Sequence, residues 1–143
     1  MALFSVPGMR EIMCRAVTRY FQDLWGKGDE SLIDELLHPE YVNHSPGSPT
    51  MSTDREGVRW VLRALRTAFP DLRYTTEDMV VGDDAVAVRT TMSGTHRGDF
   101  FGLAPTGRAF RVNQINIECF REGRIVAHHR VTDMAELMKQ LAP

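Results

Sequence analysis

Two stretches of this 143-residue chain set polar side chains at every second position, and such spacing can build a reactive surface. If residues 108–120 and 124–131 are strands, alternation puts Gln114, Asn116 and Glu118 on one face. The same rule puts His128, Arg130 and Thr132 on one face of the next strand. On the concave side of a curved sheet they would form a polar patch in an apolar cup. The other reading is a wet outer face, with Ile115, Ile117, Cys119, His129 and Val131 filling the core instead. Arginine cannot serve as a general base, so Arg130 would polarise a carbonyl or bind a carboxylate, or else form a structural ion pair with Glu118 or Asp133. Histidine is the side chain that moves protons near neutral pH. That makes His44 and His96 acid/base candidates, with capping or loop roles as the alternative. Tyr41 could donate to a carbonyl oxygen or pack its ring against a helix. Trp60 and Met92 read as core or pocket wall. Phe100, Phe101 and Leu103 are too apolar for an ordinary exposed loop and predict a lid or an oligomer contact.

Several chemistries find no support. There is no phosphate loop, dinucleotide fingerprint or metal-ligand spacing, so the expectation is a protein without cofactor or metal. Cys14 and Cys119 stand far apart and read as buried free thiols. A formal charge of −2 favours neither nucleic acid nor an anionic membrane. The basic run Arg55–Arg66 reads as a solvated helix face. The start, Met1-Ala-Leu-Phe-Ser-Val-Pro-Gly, lacks the basic and long apolar regions of a signal peptide. No stretch approaches the ~18 apolar residues of a membrane span. The expected setting is cytoplasmic.

The elements that must position these residues can be read from periodicity. Residues 9–25 predict a helix with an Ile12, Ala16, Tyr20, Leu24 stripe, stopped by Gly26 and Gly28. A short helix buries Leu32, Ile33, Leu36 and Leu37 and ends at His38-Pro39. Tyr41–His44 is extended. A third helix runs from about Thr53, with Thr53-x-x-Glu56 as its capping box, to Ala68. Its predicted stripe is Trp60, Val61, Ala64, Leu65 and Ala68. The period then changes to two, giving strands at 73–81, 85–94, 108–120 and 124–131 and a closing helix at 133–141. Helices first and an antiparallel meander after predict one α+β domain over residues 1–143, with a single curved antiparallel sheet.

Segments along nearly the whole chain, in order, resemble the SnoaL-like polyketide cyclases of the nuclear transport factor 2-like superfamily. They are His38-Pro-Glu-Tyr-Val-Asn-His44, Phe69-Pro-Asp-Leu72, Val86-Ala-Val-Arg89, Gly94-Thr-His96, Gly102-Leu-Ala-Pro-Thr-Gly107, Gly123-Arg-Ile125, and Asp133-Met134 with Gln140-Leu141. The resemblance implies a cone of curved strands plugged by helices around a central pocket, usually dimeric. It also implies cofactor-free ring closure of polyketide intermediates, commonly an aldol reaction with a cavity aspartate as acid/base. Here His128-His129-Arg130 matches the family's His-Trp-Asp or His-Arg-Asp, so Arg130 stands at the aspartate position. Asn116 stands where aldol cyclases carry histidine. Gln114 and Asn43 match pocket residues, and Asp133 matches a structural aspartate.

The expected function is therefore a cyclase acting on a small apolar substrate by folding it and polarising a carbonyl, as in a cycloaddition, or by histidine-assisted closure. The alternatives are a dehydratase, hydrolase or isomerase on a small carbonyl or epoxide compound, and a non-catalytic ligand-binding protein. The expected assembly is a homodimer.

Overall fold

A computed structural model describes residues 8–143. The reading of the first residues as no signal peptide falls almost wholly on 1–7, outside the described residues. Helix α1 (Met9–Arg19) continues into a π-helical segment, Tyr20–Trp25, whose wider turns bury Tyr20, Phe21, Leu24 and Trp25. Helix α2 (Ser31–Leu36) stops one residue earlier than expected. Pro39 holds His38 extended, and strand β1 (Leu37–Asn43) begins at once. Helix α3 (Arg55–Ala68) is followed by strands β2 (Arg73–Val81), β3 (Ala85–Thr95), β4 (Ala109–Arg121) and β5 (Arg124–Thr132), then helix α4 (Met134–Leu141).

The five strands form one sheet in the order β1-β5-β4-β3-β2. The last four make the antiparallel meander read from the sequence. The sheet as a whole is mixed rather than antiparallel, because β1 joins β5 in parallel. Pro39 is tolerated there because β1 is an edge strand. The β4–β5 hairpin turns on Glu122 (φ 54°) and Gly123 (φ 78°), two left-handed residues that match the strand twist. One residue later the register shifts: Phe120 faces Ile125, but Cys119 faces Ala127. Val126 is the extra residue of a bulge, and it turns both Ile125 and His128 toward the concave side.

The concave face is buried and the convex face is not. Val86, Val88, Met92, Phe110, Val112 and Ile125 join the helices in the core. On the other side Ile115, Ile117 and Val131 are 52%, 43% and 73% exposed. That decides between the two readings of the alternating strands: their polar residues face inward.

Helix α3 begins one residue later than the capping-box reading. Asp54, not Thr53, accepts the Gly57 amide at 3.0 Å. Gly57 lies so close to the Ser52 carbonyl that a Cβ would not fit. This approach fixes the phase of the helix, so the buried stripe is Val58, Leu62, Leu65 and Ala68. Trp60 is turned outward and is 57% exposed, which corrects its assignment to core or pocket wall. The basic run is not simply solvated. Arg55 pairs with Asp34 and Arg63 with Glu30, tying α3 to α2, and Arg66 donates to the carbonyls of Gly26, Pro70 and Leu72.

Candidate active site

A cavity of about 430 Å³ lies between the concave sheet face and the helices, a size that suits a small molecule. Tyr20 and Trp25 reach it from the π-helical segment, Tyr41 and Asn43 from β1, and Val58, Val61 and Leu65 from α3. Met92, Gln114, His128, Arg130 and Thr132 form its sheet side. Phe101, Met134 and Met138 are both lining and exposed, so they mark the mouth. Most of this wall is apolar. The polar groups converge on the β4–β5 side.

The densest polar contact there is between Glu118 and His128, which face each other across β4 and β5. His128 Nδ1 lies 2.6 Å from Glu118 Oε1, and both residues are buried. Arg130 Nη1 lies 3.5 Å from His128 Nε2. A guanidinium can only donate, so this contact makes Nε2 the acceptor and leaves the Nδ1 proton to point at Glu118. Glu118 Oε2 has no hydrogen-bond partner among the described residues.

Arg130 forms an ion pair with neither Glu118 nor Asp133. Its Nη2 donates to the Ser45 carbonyl at 2.9 Å, and its backbone amide donates to Ser45 Oγ at 2.8 Å. Asp133 instead caps α4 by accepting from the Glu136 amide. Gln114 Nε2 donates to Thr132 Oγ1 at 3.0 Å, and its carbonyl accepts from Thr90. Asn116 is buried beneath this layer. It donates to the Val88 carbonyl and to Thr90 and does not line the cavity, contrary to its assignment as a substrate contact.

Three phenols complete the wall. Tyr20 is held well above the usual phenol range by burial first, and then by Tyr41 and Glu118. Burial and Glu118 likewise raise Tyr41. Burial pushes Tyr74 up to about 12, against the lowering effect of Arg130. All three are protonated at neutral pH, so they can donate hydrogen bonds but cannot act as bases.

The two histidines singled out from the sequence lie elsewhere. His44 is exposed and stacks on His129, ring centroids 4.7 Å apart. It is not part of the cavity wall. His96 is fully buried but is not part of the cavity wall. It anchors the 96–107 loop through Thr106 and packs on Phe69. Phe100 and Leu103 bridge one another and face the cavity with Phe101. Trp60 reaches only the outer ring of this loop, 6.1 Å from Phe101. Sequence reasoning put Glu118 and His128 on the right faces but singled out neither, and it did not single out Tyr20, Trp25 or Tyr74 as wall. Their only sequence signal was an inward apolar or alternating phase.

Among the described residues no three His, Cys, Asp or Glu side chains are grouped as a metal site, and no helix is long and apolar enough to cross a membrane. Comparison with known proteins adds the family. The model of the SnoaL-like polyketide cyclases matches residues 15–141. The chain is 29% identical over 132 residues to the aklanonic acid methyl ester cyclase AcmA of Streptomyces galilaeus, covering 88% of each protein. Among solved structures it resembles TsrD from Streptomyces laurentii with a TM-score of 0.85 at 28% identity, over 96% of this chain and 98% of that one. It also resembles IdmH of Streptomyces antibioticus, with a TM-score of 0.79 at 32% identity over 91% and 98% of the two chains. This chain belongs to the SnoaL-like polyketide cyclase family.

Proposed function

We propose that this protein is a cofactor-independent cyclase that closes a ring in a polyketide-type intermediate. The observation that carries the reading is the asymmetry of the cavity. An apolar cup, walled by Trp25, Val58, Val61, Leu65, Met92 and Phe100, has Arg130 and Gln114 at one side. Apolar walls hold a flexible carbon chain in a compact near-attack shape. The Arg130 guanidinium has no carboxylate within ion-pair distance among the described residues, so it is available to a carbonyl oxygen whose charge grows as the ring closes. The resemblance sets Arg130 and Asn116 where aldol cyclases of the family carry the acid/base pair, so the aspartate-driven form of the reaction is not the one proposed.

The convex face supports a homodimer. Ile115 lies directly across from Val131, next to Ile117, and all three are exposed. A second copy of the same face would cover them.

Aklanonic acid methyl ester, named for a relative, is the first probe. Purified protein without additives should convert it to a cyclised isomer of unchanged mass, resolved by chromatography and NMR. Recovery of unconverted probe at substrate excess over a day would count against the reading for this substrate class. A product lighter by the mass of water would favour the dehydratase alternative.

A further inference from the structure

We infer that Glu118 and His128 form the proton-transfer device of this site, set two rungs along the β4–β5 ladder from the Asn116–Arg130 pair and on the same face. The inference rests on the cyclase reading and deepens it. Four observations carry it. His128 lines the cavity, whereas Glu118 does not and is fully buried behind it. His128 Nδ1 is 2.6 Å from Glu118 Oε1, which orients the ring and leaves its other nitrogen toward the cavity side. Nε2 lies 3.5 Å from the Arg130 guanidinium, so a carbonyl oxygen held by Arg130 brings the carbon next to it within reach of Nε2. Glu118 Oε2 is buried without a partner among the described residues. With no second donor on the carboxylate among the described residues, its charge is directed at the imidazole.

The step balances without a further reactant. His128 Nε2 takes a proton from the carbon beside the carbonyl bound at Arg130. The electron pair of that C–H bond becomes the enolate, whose oxygen Arg130 stabilises. The enolate carbon attacks a second carbonyl carbon of the same chain and forms the ring C–C bond, while the π electrons of that carbonyl move to its oxygen. The imidazolium then returns the proton to this alkoxide. The product is an isomer, and His128 ends neutral. Glu118 touches no reacting atom; it is a positioning residue that fixes the ring and stabilises the imidazolium.

The test uses aklanonic acid methyl ester in heavy water. Wild-type protein is expected to place deuterium on the carbon next to the ester carbonyl, or to close the ring more slowly in a single turnover when that carbon is already deuterated. His128→Gln and Glu118→Gln are each expected to lower kcat on the order of 10²–10⁴-fold with KM little changed. The two-bond nitrogen-15 spectrum of the wild-type histidines, which needs no variant to fold, should show the His128 proton on Nδ1. A His128 proton on Nε2 in the free protein would overturn the dyad. So would either glutamine variant turning over like the wild type. Ring closure with neither deuterium uptake nor a deuterium effect overturns the dyad and leaves the cyclase reading standing. Deuterium uptake without ring closure does the reverse. Neither uptake nor closure overturns both.

Discussion

Arg130 carries the charge on which the proposed reaction turns, and its surroundings define what its loss should do. Among the described residues its side chain bonds only the Ser45 carbonyl and His128, so little of the fold depends on it. Arg130→Ala should cost transition-state stabilisation of about 2–4 kcal/mol in kcat/KM, as removal of one oxyanion donor does. Thermal melts should stay close to wild type. A large drop in melting temperature with unchanged kcat/KM would make it structural. At this scale the sequence was half legible. The matched stretch His128-His129-Arg130 placed Arg130 correctly on the cavity side. It could not pair Glu118 with His128. A regular two-residue hairpin at Glu122-Gly123 sets Glu118 opposite Ala127, one position out of step with His128. Only the bulge at Val126 brings the two opposite one another, and a bulge leaves no mark in a hydrophobic pattern. His44 and His96 drew attention because histidine chemistry is visible in one dimension, whereas exposure and loop anchoring are not.

The loop between β3 and β4 divides two jobs among adjacent aromatics. Phe100 packs on Phe69 at 5.1 Å and is half-buried against the core. Phe101, left-handed at φ 47°, is 54% exposed at the mouth and touches Trp60. Phe100→Ala should therefore destabilise the protein by about 1–2 kcal/mol, less than a fully buried ring would cost, and lower the melting temperature by about 3–6 °C. Phe101→Ala should leave the melt within a degree or two and instead raise KM for the probe. Calorimetry beside steady-state kinetics separates the two, and the same loss from both variants would contradict the division. Element types and most boundaries were legible because long runs kept a clear period: β2 matches its predicted limits and β3–β5 differ by a residue or so. The phase of α3 was not. Trp60 and Val61 looked like the stripe, but the Asp54 cap and the Gly57 contact with Ser52 rotate the buried side to Val58 and Leu62.

All three tyrosines of the chain, Tyr20, Tyr41 and Tyr74, are buried around one cavity with raised pKa values. Folding holds their protons. Below the ordinary phenol pKa of about 10 that costs nothing. As pH rises beyond it toward the folded values, ionisation favours the unfolded chain, by about 1.4 kcal/mol per pH unit for each phenol still protonated. Ultraviolet titration should thus show almost no tyrosinate at pH 10–11, then all three phenols ionising together with the loss of circular dichroism. Early ionisation of one phenol in folded protein would mean an open cup. Assembly belongs to this scale too. Light scattering should give a dimer mass at micromolar concentration, and Ile115→Glu with Val131→Glu should give a monomer that still folds. A monomeric wild type would reject the convex-face dimer.

Strand β1 pairs not with a near neighbour but with β5, Leu37 beside Ile125 and Asn43 beside His128. Closing that span costs chain entropy before any contact repays it. During synthesis the first strand, with Tyr41 on it, therefore waits for nearly the whole chain to emerge before it can dock. Until then the apolar undersides of α1 and α2 have no complete sheet to cover them, so nascent chains halted before Arg124 should be the ones that chaperones hold and proteases cut. A cavity whose walls come from both ends of the chain cannot be assembled piecemeal. It forms in the last event of folding, and a chain that binds its substrate has by that fact finished folding.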